Sequence, residues 1–431
     1  MTKTNINWSG FSKRSFDERL PIIERFQLLS PENLKHLTAD HLLPIQTANQ
    51  MTENVLGRFA LPFSIAPDFL INGSTYHVPF VTEEPSVVAA ASFAAKIIRR
   101  SGGFKTYIHN RQMIGQIALY GIDKIDKAKT TILAKTEELL ATANQAYPSI
   151  VKRGGGARQI RLEQKGYFLI FYLTVDTQEA MGANMVNTMM EALVPDLEAL
   201  SKGHSLMAIL SNYATESLVT AKCQIDSCFL SRDKEKAQQL AKKMELASQL
   251  AQVDPYRATT HNKGIFNGID AVVMATGNDW RAIEAGAHAY AARNGSYQGL
   301  SQWRFDQSQQ LLFGELTLPM PIASKGGSIG LNPTVAIARD FLNSPDAKTL
   351  AQVIVAVGLA QNFAALKALT SSGIQAGHMK LHAKSLALLA GASEHEVAAL
   401  VKTLLADKPM TLEKATTYLS KLRQSIDNGS T

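Results

Sequence analysis

Residues 157–176, ARQIRLEQKGYFLIFYLTVD, decide the fold. Ala157 to Glu163 and Gly166 to Asp176 alternate or run apolar as strands do, and only a short turn separates them. Working outward, Asp123 to Ala146 reads as one long amphipathic helix and Gln112 to Ile122 as a strand before it. On the other side Glu179 to Leu200 is helical and Ser205 to Leu210 is again apolar. The order is β-α-β-β-α-β, the split βαβ or ferredoxin-like arrangement. It is not the repeated βαβ unit of a Rossmann sheet. The small domain occupies residues 109–218.

Both flanks have a helical, Ala-rich texture, so the small domain reads as an insertion in a larger helical one, covering 1–108 and 219–375. Pro85 to Arg100 has almost no polar face and predicts a helix inside a large core, stopped by Ser101-Gly102-Gly103. Gly373 to Gly377 reads as a hinge, and 376–431 as a small helical C-terminal unit. The expected class is therefore α+β.

At 431 residues the chain is long for one domain, and 45% hydrophobic with 19% charged residues is the balance of a folded protein. A net charge of +7 favours anionic partners without choosing among them. Two cysteines, Cys223 and Cys228, make no disulfide framework and no zinc site; core packing in a reducing cytoplasm is expected. Met1 to Phe11 lacks an apolar h-region and no run reaches the ~18 apolar residues of a membrane span. No membrane association is expected.

Several polar places could carry chemistry. Glu83 and Glu84 precede the apolar helix, either as a cap or as an acid tuned between a helix dipole and a dry core. Asp254 to Asp270, DPYRATTHNKGIFNGID, packs Arg257, His261, Lys263 and Asn267 among glycines and reads as too polar for core. Asp279, in Thr276-Gly277-Asn278-Asp279-Trp280-Arg281, either caps a helix or pairs with Lys263, and a lysine beside carboxylates can polarise a carbonyl. His378 and His382 sit four apart, but no third ligand follows, so no metal is expected. They are surface or core histidines, or one is a general acid on the terminal unit.

Gly154-Gly155-Gly156, Met181-Gly182-Ala183-Asn184 and Ser324 to Gly330 could each approach a phosphate, the second best because it opens a helix. Lys165 to Tyr172 approaches an RNA-binding strand signature, but Phe168 stands where a small residue is needed and both faces are apolar. No nucleic acid is expected.

Together these stretches resemble the 3-hydroxy-3-methylglutaryl-CoA (HMG-CoA) reductase family, in its soluble bacterial class, over nearly the whole chain. The resemblance rests on Glu53 to Gly57, Glu83 to Ser92, Glu179 to Asn184, the Asp254 to Asp270 block, Gly277 to Arg281, and Gly377 to Ala383 without Lys380. It implies four-electron reduction of HMG-CoA to mevalonate and CoA with two nicotinamide hydrides. By the resemblance Lys263 stabilises the carbonyl oxyanions, Asp279 holds Lys263, Glu84 shuttles the alcohol proton and His382 protonates the departing CoA thiolate. Ser86, Arg257 and Asn267 contact the HMG portion, and Met181, Gly182, Ala183 and Asn184 the cofactor. Glu179 departs from the family's usual Asp, and Ala323 to Gly330 is a loose version of its second glycine loop. The C-terminal unit resembles the class's flap, and Glu53 to Gly57 its subunit contact, which implies a homodimer or higher oligomer. NADPH is expected over NADH because Asn144 to Gly154 holds no acid but does hold Tyr147, Lys152 and Arg153.

Overall fold

The structure, a computed structural model, describes residues 6–327, 329–371 and 375–427. The chain divides into two compact units, 1–365 and 366–431. The first unit begins with α1 (Phe16–Arg25), α2 (Pro31–Thr38) and α3 (Ile45–Met51), then β1 (Phe63–Ile71), β2 (Ser74–Val81), α4 (Val87–Arg100) and β3 (Phe104–Ile108). Next come β4 (Met113–Tyr120), α5 (Ile125–Ala134), α6 (Thr136–Ala146), α7 (Pro148–Val151), β5 (Gly156–Lys165), β6 (Phe168–Asp176), α8 (Ala183–Ser201) and β7 (His204–Ser211). The chain continues through β8 (Leu218–Asp226), α9 (Lys234–Val253), α10 (Pro255–Ala275), α11 (Trp280–Ala291), β9 (Ser301–Asp306), β10 (Leu311–Pro319), α12 (Pro333–Phe341) and α13 (Ala347–Thr370).

Strands β4 to β7 form a four-stranded sheet in the order β5-β6-β4-β7, every neighbouring pair antiparallel. This is the arrangement a split βαβ must give: β4 and β5, joined by a crossover, are separated by one strand running the other way. Phe171, Leu173 and Val175 of β6 are buried against Met189, Met190 and Leu193 of α8 within one apolar cluster reaching from Met113 to Ala214. The long helix expected over Asp123 to Ala146 is two helices, because Lys135 leaves helical geometry (φ −105°, ψ 18°). The helix expected from Glu179 starts only at Ala183, where Gly182 in the left-handed conformation (φ 88°) caps it.

The large helical domain is corrected by a second, six-stranded sheet, in the order β2-β1-β3-β8-β10-β9. Its signals are local. Asn72-Gly73, at φ 49° and 85°, is the two-residue turn of a hairpin and joins β1 to β2. Pro79 is tolerated because β2 is an edge strand. In β8 the alternate residues Val219, Ala221, Cys223 and Ile225 are buried, a period of two hidden by small side chains.

The second unit is α14 (Gln375–Leu389), α15 (Glu394–Ala406) and α16 (Leu412–Asp427), packed around Ala383, Ala387, Leu400, Leu404, Ala415 and Leu419. Arg423 forms a two-pronged bond to Glu396 at 2.7 and 3.0 Å, and holds that carboxyl well below the usual range. The expected hinge falls at 373 and 374 outside the described residues, as does the His378 side chain. Among the described residues one helix, α13, is long and apolar enough to cross a membrane, but 83% of its apolar window is buried.

Candidate active site

The centre of the site lies on α10. Asp254 caps it by accepting from Arg257 N, and Pro255 takes its first turn, where a missing N–H costs nothing. Helix α10 crosses α13 closely: a Cβ on Gly268 would come 3.0 Å from Val357, and one on Gly358 2.9 Å from Ile269. Glycine at the crossing fixes the depth and rotation of α10, and hence where its polar stripe points.

That stripe meets the loop between β2 and α4. Lys263 Nζ is 2.5 Å from Glu84 Oε2, and Asn267 Nδ2 donates to Glu84 Oε1 at 3.3 Å. Lys263 and Asn267 are four residues apart, so they share a helix face. Glu84 does not cap α4. Residue 86 does so from the left-handed region (Ser86, φ 74°), and α4 starts two residues later than the sequence suggests. The turn frees the Glu84 carboxylate to face α10, while its N–H bonds Thr82 Oγ1 at 3.2 Å. Lys263 and Glu84 both remain partly open to solvent, as a substrate-accessible pair must. Ser86 is exposed beside them, and half-buried Arg257 has its pKa lowered by desolvation while remaining charged.

Asp279 is placed differently. Its Oδ1 accepts from Arg281 N and Ala282 N at 3.1 and 3.2 Å, capping α11, and it pairs with Arg281 at 3.5 Å. Within one chain about 18 Å of helix, at 1.5 Å per residue, separates Lys263 from the end of α10. Among the described residues the ion pair of Lys263 is with Glu84.

The Asp254 to Asp270 block is not all site. His261 and Asn262 are buried: His261 Nε2 lies 2.6 Å from Ser301 Oγ, and Asn262 Nδ2 donates to Gln298 O at 2.9 Å. Burial, with Arg257 nearby, pushes His261 down to about 3, so it is neutral. Polar composition misled here because these side chains bond groups inside the core: His261 Nε2 also meets Asn362 Nδ2 at 3.1 Å, and Asn262 Oδ1 accepts from Leu300 N at 2.8 Å.

The glycine motifs are tied to one another. Glu179 O accepts from Ser324 N at 2.9 Å, its carboxylate accepts from Ser324 Oγ, and Ala347 N donates to it at 2.9 Å. Asn278 holds the other side, exchanging bonds with Ala323 N and O at 2.8 and 3.1 Å. Ser324 and Asn278 lie in stretches the sequence singled out, but Arg339, which donates to Ser324 O, was not legible as a site residue.

At the start of α8 a Cβ on Gly182 would fall 2.4 Å from Thr177 Cγ2, so only glycine fits; Met181 and Ala183 are half-buried beside it, and Asn184 is exposed. The Gly154 to Gly156 triplet packs on the turn after β6: a Cβ on Gly155 would meet Asp176 O at 2.5 Å. Lys152 and Arg153 are exposed next to it, while Tyr147 packs partly into the small-domain core. Arg158 neutralises Asp176 at 3.2 Å. The exposed edge is thus basic, with a helix N-terminus nearby, and fits a phosphate-bearing dinucleotide.

His382 lies on α14 and is exposed. Cys223 is buried and its thiol pushed up by desolvation, but Cys228 is exposed, which corrects the core role expected for both. Among the described residues no group of three or more His, Cys, Asp and Glu side chains could hold a metal.

Residues 15–383 match the family model described as hydroxymethylglutaryl-coenzyme A reductase. The chain is 43% identical over 418 residues to a 3-hydroxy-3-methylglutaryl-coenzyme A reductase of Archaeoglobus fulgidus, covering 96% of this chain and 94% of that one. It resembles the solved reductase from Streptococcus pneumoniae with a TM-score of 0.85 at 62% identity, over 97% of this chain and 100% of that one. A class II structure from the same organism, bound to NADPH in open conformations, matches with a TM-score of 0.84 at 61% identity, over 85% and 100%.

Proposed function

The chain belongs to the hydroxymethylglutaryl-coenzyme A reductase family, and from that premise we propose how its own residues divide the work. The enzyme is an NADPH-dependent oxidoreductase that reduces HMG-CoA to mevalonate and CoA, a step of the mevalonate pathway. NADPH supplies the hydride for each of the two reductions.

Lys263 presents its ammonium to the thioester oxygen and then to the aldehyde oxygen, stabilising each as negative charge develops there. Glu84 keeps that ammonium in place and, with Asn267 orienting its second oxygen, hands a proton to the nascent alcohol. Arg257 clamps the free carboxylate of the substrate, and Ser86 and Asn267 contact its hydroxymethyl end. His382 protonates the CoA thiolate. An imidazolium is in general a stronger acid than a thiol, so that transfer runs downhill. Met181, Gly182, Ala183 and Asn184 cradle the dinucleotide, with Tyr147, Lys152 and Arg153 at its adenosine end.

The fully exposed Leu56 and Phe59, at 103% and 90%, support a homodimer built on the segment after α3. A second copy would also offer an Asp279 carboxylate to Lys263, whereas within the chain Asp279 caps α11. We further propose residues 109–218 as the cofactor domain, 1–108 and 219–375 as the substrate domain and 376–431 as the flap, in a cytoplasmic enzyme.

The Lys263–Glu84 contact at 2.5 Å carries this reading. Lys263→Ala should abolish NADPH oxidation with both HMG-CoA and mevaldehyde; retention of either half-reaction overturns the role given to Lys263.

A further inference from the structure

The chain enters the four-stranded sheet through residues 109–112 and leaves it through 212–218, and the two crossings are stitched side by side. Gln112 N donates to Glu216 O at 2.9 Å, His109 N to Leu218 O at 3.1 Å, and Ser217 Oγ to Gln112 O at 2.7 Å. Two paired crossings make a hinge, which fixes a position and leaves rotation about its own line free. Contacts away from that line must set the angle.

Arg111, on the entering crossing, makes such a contact. Its Nη2 carries two N–H groups and donates to Ala180 O at 3.3 Å and to Ile322 O at 2.6 Å. Ala180 lies in the turn before α8 that presents Met181 to Asn184, and Ile322 in the segment after β10 of the six-stranded sheet. One nitrogen therefore bridges loops of the two sheets. The turn it grips is a tight one: Ala180 O also accepts from Thr177 Oγ1 at 2.7 Å, and Thr177 is the side chain that leaves room only for glycine at 182. Beside it Glu179 O accepts from Ser324 N, two residues past Ile322. The guanidinium itself is poorly placed for stability. Desolvation works against its charge, which Glu179, Asp176 and Asp346 favour, and its Nε is buried with no hydrogen-bond partner among the described residues. A cation kept there despite an unmade bond is explained by what its other nitrogen holds, not by a gain in folding energy.

We propose that Arg111 is a positioning residue for the cofactor: by joining Ala180 O to Ile322 O it locks the turn before α8 to the large domain and so sets where Gly182 and the start of α8 meet the dinucleotide. Its bonds are to backbone carbonyls, so it acts through the turn and is not a catalytic residue. Without it Ile322 O loses its partner and Ala180 O keeps only the Thr177 hydroxyl, so the turn must be ordered at the moment NADPH binds, which weakens binding. This inference rests on the reading of Met181 to Asn184 as the cofactor site.

Fluorescence titration of the full-length enzyme with NADPH tests it, with the KM for HMG-CoA measured on the same preparations. Arg111→Met should raise the Kd for NADPH by about tenfold or more, the worth of one hydrogen bond from a charged group, and leave the KM for HMG-CoA near that of the wild type. Arg111→Lys, which keeps the charge and its donors, should restore most of the affinity. Arg111→Gln keeps an N–H donor group and serves if the methionine variant folds poorly, with a smaller rise expected. Wild-type affinity for NADPH in the methionine or glutamine variant overturns the proposal. A loss shared equally by NADPH and HMG-CoA, and not restored by lysine, also overturns it, because that is the mark of a merely structural charge. Gly182→Ala tests the reading beneath: the added methyl collides with Thr177 and should weaken NADPH binding. If that variant binds NADPH as the wild type does, the turn is not the cofactor site and the proposal falls with it. If it loses NADPH while the Arg111 variants do not, the role of Arg111 fails alone.

Discussion

Lys263 and Glu84, 179 residues apart in sequence, meet at 2.5 Å because a left-handed Ser86 turns the loop before α4 toward the polar stripe of α10. Neither partner is deeply buried, at 60% and 39% side-chain exposure, so the ion pair contributes little to folding, about 0–1 kcal/mol. Its value is chemical: it holds an ammonium and a proton carrier side by side where a carbonyl can enter.

Glu84→Gln should therefore separate activity from stability. The amide keeps the shape and still accepts from Lys263, but it cannot deliver a proton. The expected loss in kcat is roughly 10²- to 10⁴-fold, the usual worth of general acid–base catalysis, with a melting temperature close to that of the wild type. Calorimetry and initial rates on the same preparation check this. A large drop in melting temperature would make the contact structural.

His382→Gln tests the division of labour between units. Only the first half-reaction releases a thiolate, so mevaldehyde reduction should proceed near the wild-type rate while HMG-CoA reduction falls steeply. Parallel loss of both would assign His382 to something other than thiolate protonation.

The four-stranded sheet was legible because its strands alternate strongly and its crossovers are amphipathic, from Met113 in β4 to Ile209 in β7. The six-stranded sheet was not, since β8 buries small residues such as Ala221 and Cys223 and its partners come from distant parts of the chain. Among site residues, Glu84, Lys263 and Asn267 were legible and are joined in space. The roles of Asn278 and Ser324 were not, because their bonds to Ala323 and Glu179 span 45 and 145 residues and leave no local spacing to read. His261 shows the converse error: a polar residue inside a site-like motif that serves the core.

His261 also gives a pH prediction. Its folded pKa lies below the 6.5 of a free imidazole, at about 3. The unfolded chain therefore binds a proton that the folded one refuses. Stability from the neutral ring is complete above pH 6.5 and is lost as pH falls toward 3, at about 1.4 kcal/mol per unit. Between pH 6.5 and 5 the wild type should lose about 2 kcal/mol through this residue. His261→Gln, which can still bond Ser301, should be less stable at pH 7 yet lose less on acidification. Urea titrations at the two pH values decide it, and equal losses in both proteins would remove His261 as the cause.

The last prediction concerns the basic edge of the small domain. Lys152 and Arg153 stand exposed beside the glycine triplet, and Asp176, whose carbonyl lies against that triplet, is paired with Arg158 at 3.2 Å. Free positive charge therefore dominates the place proposed for the adenosine end of the cofactor. The 2′-phosphate that distinguishes NADPH from NADH carries a charge near −2, so reversing the sign at Lys152 and Arg153 should penalise NADPH selectively. Lys152→Glu with Arg153→Glu should raise the KM for NADPH at least tenfold, equivalent to about 1.4 kcal/mol, and leave that for NADH within a few-fold. Tyr147→Asp should shift the ratio of kcat/KM in the same direction, since a carboxylate there would accept the 2′-hydroxyl of NADH and repel the phosphate. Salt should weaken the NADPH preference of the wild type, because exposed charges are screened over about 8–10 Å. If the double variant changes both cofactors equally, the two cations act on the shared pyrophosphate, and the adenosine end lies elsewhere on the small domain.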